Sequence, residues 1–234
     1  MKKDLAIATL SLIRTADERK VVFETVSELN NLGVSVVIVD EGSSIDDVKK
    51  LRTFNNVVVF EEKGLMNQLL LSQRETAKRA DSIFYLHTDK LEFVKENARN
   101  LINAYLKQGP KGILIPARDE TSINSYPSFQ KKAEEFLNFF VSDYVGINND
   151  FYSGPKLYPA TLVNYLDRLH EDIGWGIEAY YYVLAKRLNL PFYFQTVSSP
   201  SPTDIDNEEK TKEYRLKIVE WQIRGFLFAK EVEL

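Results

Sequence analysis

The sequence predicts an α/β fold, a mainly parallel sheet covered by helices on both faces, and three observations predict it. Through the first half, apolar runs of strand length alternate with amphipathic stretches at helical spacing. The runs are near-continuous rather than alternating, as in strands buried on both faces. Helical segments separate them, which parallel neighbours require as crossovers. With 234 residues and 44% hydrophobic content, the chain is long enough for one substantial core, and a single domain over 1–234 is expected.

Leu5 to Ile13 reads as the first strand. Thr15 and Glu18 form a capping-box pair, and Val21, Val22, Val26 and Leu29 continue at helical spacing to Gly33, a C-terminal stop. Val34 to Val39 is a second strand ending at Asp40, and Gly42-Ser43-Ser44 leads into a short helix from Ile45 to about Arg52. Val57 to Phe60 makes strand three, Leu65 to Ala80 a helix, and Ser82 to Leu86 strand four. Phe93 to Leu106 is helical up to Gly109-Pro110, and Gly112 to Ile115 is strand five.

The second half is less regular. Helices are expected at Pro127–Val145, Pro159–Leu169 and Ile177–Leu188, with an extended stretch near Tyr152 to Leu157 and a strand from Phe192 to Val197. Ser198 to Asp206, with Pro200 and Pro202, reads as a surface loop before a C-terminal helix from Glu208 to Val232. Leu216, Val219, Ile223 and Phe226 form a stripe on that helix; packing is the plainer reading, and peripheral contact with a membrane surface the other. Tyr126, Phe129, Phe136, Phe139, Phe140 and Tyr144 suggest either a wall for lipid or sugar or, more ordinarily, core.

Composition excludes several functions. Thirty Lys and Arg against 34 Asp and Glu leave a net charge of -4, with no basic segment able to neutralise a nucleic-acid backbone. With no cysteine there is no disulfide framework, thiolate nucleophile or cysteine metal site. About nine apolar-rich residues precede Arg14, too few for a signal sequence or a membrane span, so a cytoplasmic protein is expected. A homo-oligomer is compatible with the sequence.

Ligands of open parallel sheets bind outside the carboxyl ends of the strands. Four predicted ends are polar or charged: Ser11–Arg14, Asp40-Glu41, Glu62-Lys63-Gly64 and His87-Thr88-Asp89. Thr9, Ser11, Asp40, Lys63, Gly64 and Thr88 are the ligand-binding candidates on and beside this rim. The chain has no phosphate loop, no dinucleotide fingerprint after the first strand and no nucleophile elbow. With only His87 and His170, a multi-histidine zinc site is excluded, while a hard-metal or mixed site remains.

These residues carry a resemblance. Val36-Val37-Ile38-Val39-Asp40-Glu41-Gly42-Ser43-Ser44 resembles the V-D-D-G-S-[ST] segment of family 2 and related GT-A glycosyltransferases, whose aspartate binds the nucleoside base. Lys63-Gly64 is similar to the K-G pair that dolichyl-phosphate-mannose-synthase-like and glucosyl-phosphoglycerate-synthase-like enzymes place near the donor. Phe84 to Leu91 matches their F-[LV]-D-x-D-L segment, with His87 in place of the first aspartate. Asp150-Phe151-Tyr152-Ser153-Gly154 resembles a D-x-x-S-G stretch before the acceptor region, and Gly174-Trp175-Gly176-Ile177-Glu178 a G-[YW]-G-x-E element. The likeness spans roughly Leu5 to Val197. It implies a GT-A, Rossmann-like α/β/α sandwich with a nucleotide-sugar half (1–115), an acceptor half (116–206) and a C-terminal helix (207–234). It implies transfer of a hexose from a UDP- or GDP-sugar to an unidentified acceptor.

The chemistry at each position can be weighed separately. A leaving nucleoside diphosphate carries charge that a divalent cation, Mn2+ or Mg2+, neutralises directly. Asp89 is the expected ligand; His87 either joins it, shifting preference from magnesium toward manganese or a later metal, or only caps the strand. Asp40 either binds base or ribose or caps the next helix, and Ser44 already supplies that cap. Lys63 is either a phosphate contact or a solvated lysine. In the second half, Trp175 offers a stacking face, Gly176 lets backbone approach a sugar, and Ser153 and Gly154 are sugar or acceptor contacts. A buried tryptophan anchoring the loop is the alternative. Asp172 is the candidate general base of an inverting transfer and Glu178 a sugar or acceptor ligand; Glu171-Asp172 resembles the E-D of many inverting family 2 members. Two rivals remain: a nucleotide-sugar-binding protein without transferase activity, suggested by His87, and a sugar nucleotidyltransferase. Leu10 to Arg14 lacks the Gly-rich, Arg-containing signature of the latter.

Overall fold

Hydrophobicity places β1 (Ala6–Ser11) and β2 (Ser35–Asp40) in the interior of a sheet, away from its edges: every residue of β1 is buried, and Val36 to Val39 are completely so. The computed structural model describes residues 3–109, 111–169, 172–201 and 208–234, without the side chains of 208–211. Its strands, in the order β3-β2-β1-β4-β6-β5-β7, form a seven-stranded sheet. The chain divides into two compact units, 1–114 with 154–166, and 115–153 with 167–234, so that β5 (Ile113–Arg118) is shared.

In the first unit, β1 runs parallel to β2 from the pair Ala6 and Ser35 to the pair Ser11 and Asp40. β2 runs parallel to β3 (Val57–Glu61), and β1 to β4 (Ser82–Tyr85). The crossovers are α1 (Ala16–Asn31), α2 (Ile45–Leu51) and α3 (Leu65–Ala77). Their starts follow local chemistry. Thr15 Oγ1 accepts from Glu18 N while the Glu18 carboxylate accepts from Thr15 N, completing the predicted capping box, and Ser44 caps α2 through Asp47 N. β6 (Lys156–Pro159) is antiparallel to β4, from Ser82 opposite Pro159 to Tyr85 opposite Lys156.

Three local expectations differ. The predicted 93–106 helix is α4 (Leu91–Phe93), a π-helical turn (Val94–Ala98) and α5 (Arg99–Gln108); no residue pattern marks such an insertion. The segment expected as a helix from Pro159 is 3-10 (Ala160–Arg168), turning Leu162, Val163 and Leu166 inward. In the second unit an unexpected short helix, α6 (Glu120–Ser125), starts where the Asp119 carboxylate accepts from Ser122 N. The expectations at Met1, Lys2, Pro110, His170, Glu171 and Pro202–Asp206 lie outside the described residues.

The rest of the second unit is α7 (Ser128–Val145), a 3-10 turn (Gly174–Gly176), α8 (Ile177–Arg187), β7 (Phe192–Val197) and α9 (Glu208–Glu231). Ile177 to Ala185 are all buried, so α8 is the core helix of this unit. The stripe expected to pack α9 is only partly right. Phe226 is buried between Phe140 and Tyr144, whereas Leu216 is exposed and the packed face runs through Gln222, Gly225, Phe226 and Ala229. Backbone contact at Gly225 sets that face, which an apolar pattern cannot register. The aromatic run also divides: Tyr126 is buried, Phe136 and Phe139 exposed. No helix among the described residues is long and apolar enough to cross a membrane.

Candidate functional site

The carboxyl end of β1 is a hub for the loops beside it. Asp40 Oδ2 accepts from Ser11 Oγ at 2.7 Å and from Ser43 Oγ at 2.5 Å, while Oδ1 accepts from Gly42 N at 2.9 Å and Ser43 N at 2.7 Å. Ser43 Oγ in turn accepts from Ile13 N at 2.8 Å. Asp40 is 1% exposed, so this saturated carboxylate shapes the 41–43 loop from beneath. On the other side of β1, Thr88 Oγ1 donates to Leu10 O at 2.8 Å, tying the turn after β4 to the same strand. Thr9 lies within β1 and is fully buried.

Two candidates lie open on the same rim. Lys63 is exposed, immediately before α3, whose N-cap Gly64 adopts φ 83°, a left-handed conformation that glycine takes without strain. Gly64 N donates to Glu41 Oε1 at 3.3 Å, linking the ends of β2 and β3. Asp89 is exposed on the turn after β4, and His87, two residues earlier, has its Nε2 at 3.1 Å from Tyr85 Oη. Opposite Tyr85 stands Lys156, 1% exposed, its ammonium 6.0 Å from the Tyr85 ring centre.

The second unit carries a separate polar cluster. Arg118 pairs in bidentate fashion with Asp150, Nε to Oδ2 at 2.8 Å and Nη2 to Oδ1 at 2.9 Å, and its Nη1 lies 2.8 Å from Glu134 Oε2. Burial works against the guanidinium charge, but these two carboxylates outweigh it and drive the pKa further up. Asp150 moves the other way: burial raises its pKa, and the Arg118 hydrogen bonds and charge more than reverse this, holding it below the ordinary carboxylate value. Just beyond, Tyr152 Oη and Ser153 Oγ are buried without a hydrogen-bond partner among the described residues. Burial, then the charge of Glu178, keep the Tyr152 hydroxyl protonated far above its usual range.

Glu178, 8% exposed, opens α8, and Gln222 Nε2 donates to its Oε2 at 3.4 Å. Trp175 Nε1 donates to Tyr214 Oη at 2.6 Å. Asp172 is exposed, and its Oδ1 accepts from Gly174 N at 2.8 Å. A groove of about 710 Å3 within this unit is lined by Phe139, Asn138, Asp143, Asn148 and Asp150, among others.

No protein-family model matches the sequence, and no curated protein is similar to it in sequence. Solved structures are similar in fold. Mannosyl-3-phosphoglycerate synthase from Rubrobacter xylanophilus superposes with a TM-score of 0.68 at 13% identity, over 99% of this chain and 76% of that one. Glucosyl-3-phosphoglycerate synthase from Mycobacterium tuberculosis, in complex with UDP, gives 0.66 at 13% identity, over 96% and 80%. The same synthase with Mn2+, UDP-glucose and phosphoglyceric acid gives 0.64 at 13%, over 96% and 80%. The chain has the GT-A fold.

On this GT-A framework the candidates from the sequence fall into two groups, one in each unit. Ser11, Asp40 and Thr88 converge on the end of β1, with Lys63, Gly64, His87 and Asp89 on neighbouring strand ends. Ser153, Asp172, Trp175, Gly176 and Glu178 belong to the second unit, and Gly154 begins the returning segment of the first. The buried polar residues Arg118, Lys156 and Gln222 were not anticipated. Only Lys156 leaves a trace in the sequence, a charge inside the short apolar run before Leu157 and Tyr158.

Proposed function

We propose that this GT-A chain is a glycosyltransferase that moves a hexose from a UDP- or GDP-sugar to an acceptor, assisted by Mn2+ or Mg2+. The observation that carries this reading is the strand-end rim. A loop shaped by Asp40, a Gly64 turn beside the Lys63 ammonium and an exposed Asp89 carboxylate all sit where open parallel sheets bind ligands. The similar synthase crystallised with Mn2+ and UDP-glucose is consistent with it.

The Asp89 carboxylate suits a divalent cation such as Mg2+ or Mn2+ that shares its shell with the substrate, and the His87 imidazole, if it joins, favours Mn2+. Asp89 supplies a carboxylate, His87 an imidazole on the same turn, and no cluster of three or more metal-binding side chains exists among the described residues. Asp89 would hold the ion with diphosphate oxygens and water completing its shell, and the ion would neutralise charge on the leaving diphosphate. The chain's own groups do the rest. Ser11, Asp40 and Thr88, with Thr9 beneath them, hold the donor loops, so that backbone at 41–43 and Gly64 meets the nucleotide and Lys63 the phosphates.

In the second unit, the Ser153 hydroxyl and the Trp175 face would contact sugar or acceptor, with Glu178 as a carboxylate for sugar hydroxyls, whereas the Gly176 backbone, expected to approach a sugar, packs against Trp221 and Gly225 of α9. In an inverting transfer, Asp172 would take the acceptor hydroxyl proton as its oxygen attacks the anomeric carbon and the bond to the diphosphate breaks.

Calorimetric titration with UDP-glucose, GDP-mannose, UDP and GDP, each with Mn2+ and again with EDTA, tests the reading. Micromolar binding of one nucleotide, about -8 kcal/mol, that weakens without metal is the expected result. Absence of binding to all four would remove the glycosyltransferase reading. A nucleotidyltransferase is the second reading, because CMP:2-keto-3-deoxy-manno-octonic acid synthetase complexed with CTP also matches, at TM-score 0.54 and 9% identity over 94% and 99% of the two chains. Binding of CTP or UTP in preference to any nucleotide sugar would favour it.

A further inference from the structure

The start of α8 lacks a cap of its own: its N-cap residue is Gly176, with no side chain to accept the first free N–H groups. The acceptor comes from α9 instead. Gln222, 2% exposed, receives Ala179 N on its Oε1 at 3.0 Å. Its Nε2 donates to Trp175 O at 2.8 Å and, over 3.4 Å, to Glu178 Oε2. The amide has one orientation open to it. Ala179 N is a donor and must meet the oxygen, Trp175 O is an acceptor and must meet the NH2 group, and the second amide proton is thereby directed at Glu178.

The contact has little freedom to slide. A Cβ on Gly176 would stand 1.9 Å from Trp221 O, and one on Gly225 would stand 2.0 Å from Gly176 O, so the turn and α9 meet backbone to backbone. About two helical turns earlier on α9, Tyr214 Oη holds Trp175 Nε1 at 2.6 Å. Both tryptophans of the chain, Trp175 and Trp221, lie in this contact.

We propose that Gln222 is a positioning residue: it caps α8 from the neighbouring helix and aims the Glu178 carboxylate, so that α9 governs how the Gly174–Glu178 element meets its ligand. The ligand would be the sugar of the donor or the acceptor, a part of the proposal that rests on the glycosyltransferase reading above.

Two measurements decide it. The first compares UDP-glucose with UDP, and GDP-mannose with GDP, by calorimetry with Mn2+ in wild type, Gln222→Leu and Gln222→Glu. Loss of the sugar-dependent part of the affinity by about tenfold, with the free diphosphate changed less than about twofold, is expected if Glu178 is misaimed. A merely structural role would weaken both nucleotides together or neither, and either result would overturn the proposal.

The second is a double-mutant cycle of Gln222→Leu and Glu178→Gln, read by urea unfolding and tryptophan emission, which needs no ligand. Non-additive effects and a red-shifted emission in Gln222→Leu are expected; strict additivity with unchanged emission would sink the positioning claim. Should the wild type bind no nucleotide, the functional reading fails while this cycle still decides whether Gln222 holds Glu178.

Discussion

Replacing Asp150 by Asn would take the charge out of the polar centre of the second unit while nearly preserving shape. Its carboxylate accepts five hydrogen bonds, from Arg118 N, Nε and Nη2, Asn138 Nδ2 and Tyr152 N. The Arg118 side chain is 3% exposed, so the variant strands a buried cation, a change that costs about 3–5 kcal/mol when one partner of such a pair is removed. Glu134 remains 2.8 Å from Arg118, which places the expected loss near the lower end, about 3 kcal/mol. The pH dependence has a definite sign. Because the folded pKa of Asp150 lies below its unfolded value, its contribution is present above about pH 4 and lost as pH falls through the folded value. Urea unfolding at neutral pH and at steps below pH 4 reads both effects. A loss under about 1 kcal/mol at neutral pH, or an identical acid slope in wild type and variant, would refute the reasoning.

Asp89→Asn removes an exposed carboxylate and should leave thermal stability nearly unchanged while reducing Mn2+-dependent nucleotide affinity at least about tenfold in calorimetry. Gly176→Ala must move backbone, because its Cβ would meet Trp221 O, and should cost more than the roughly 1–3 kcal/mol of ordinary overpacking in chemical unfolding. Thr15→Ala breaks the capping box and should cost about 1 kcal/mol, measured by thermal unfolding. Asp172→Asn should lower turnover by about 10²–10⁴-fold if the transfer inverts, and single-turnover kinetics with a nucleotide sugar would show it; near-normal turnover would remove the base assignment.

The fold class was legible in the sequence because its determinants are local and periodic. Buried parallel strands demand continuous apolar runs, and Leu5–Ile13 and Val34–Val39 supply them. Helix starts demand side-chain acceptors, and Thr15 and Ser44 supply those. The polar strand ends also mark one rim in the sequence itself. What the sequence could not convey is where polar groups spend their hydrogen bonds. Asp40 read as a ligand for a base, and in the structure its four bonds go to Ser11, Gly42 and Ser43, which only the pairing of β1 with β2 brings within reach.

Arg118 and Asp150 stand 32 residues apart, and Glu178 and Gln222 44 apart, so neither pair forms a pattern along the chain. The same holds for α9, whose inward face is decided at Gly225 by backbone contact with Gly176 rather than by its apolar stripe. Periodicity and capping act over a few residues and are written into the chain. Partner choice for buried charges and amides depends on distances that exist only after folding, so the tertiary structure alone decided it.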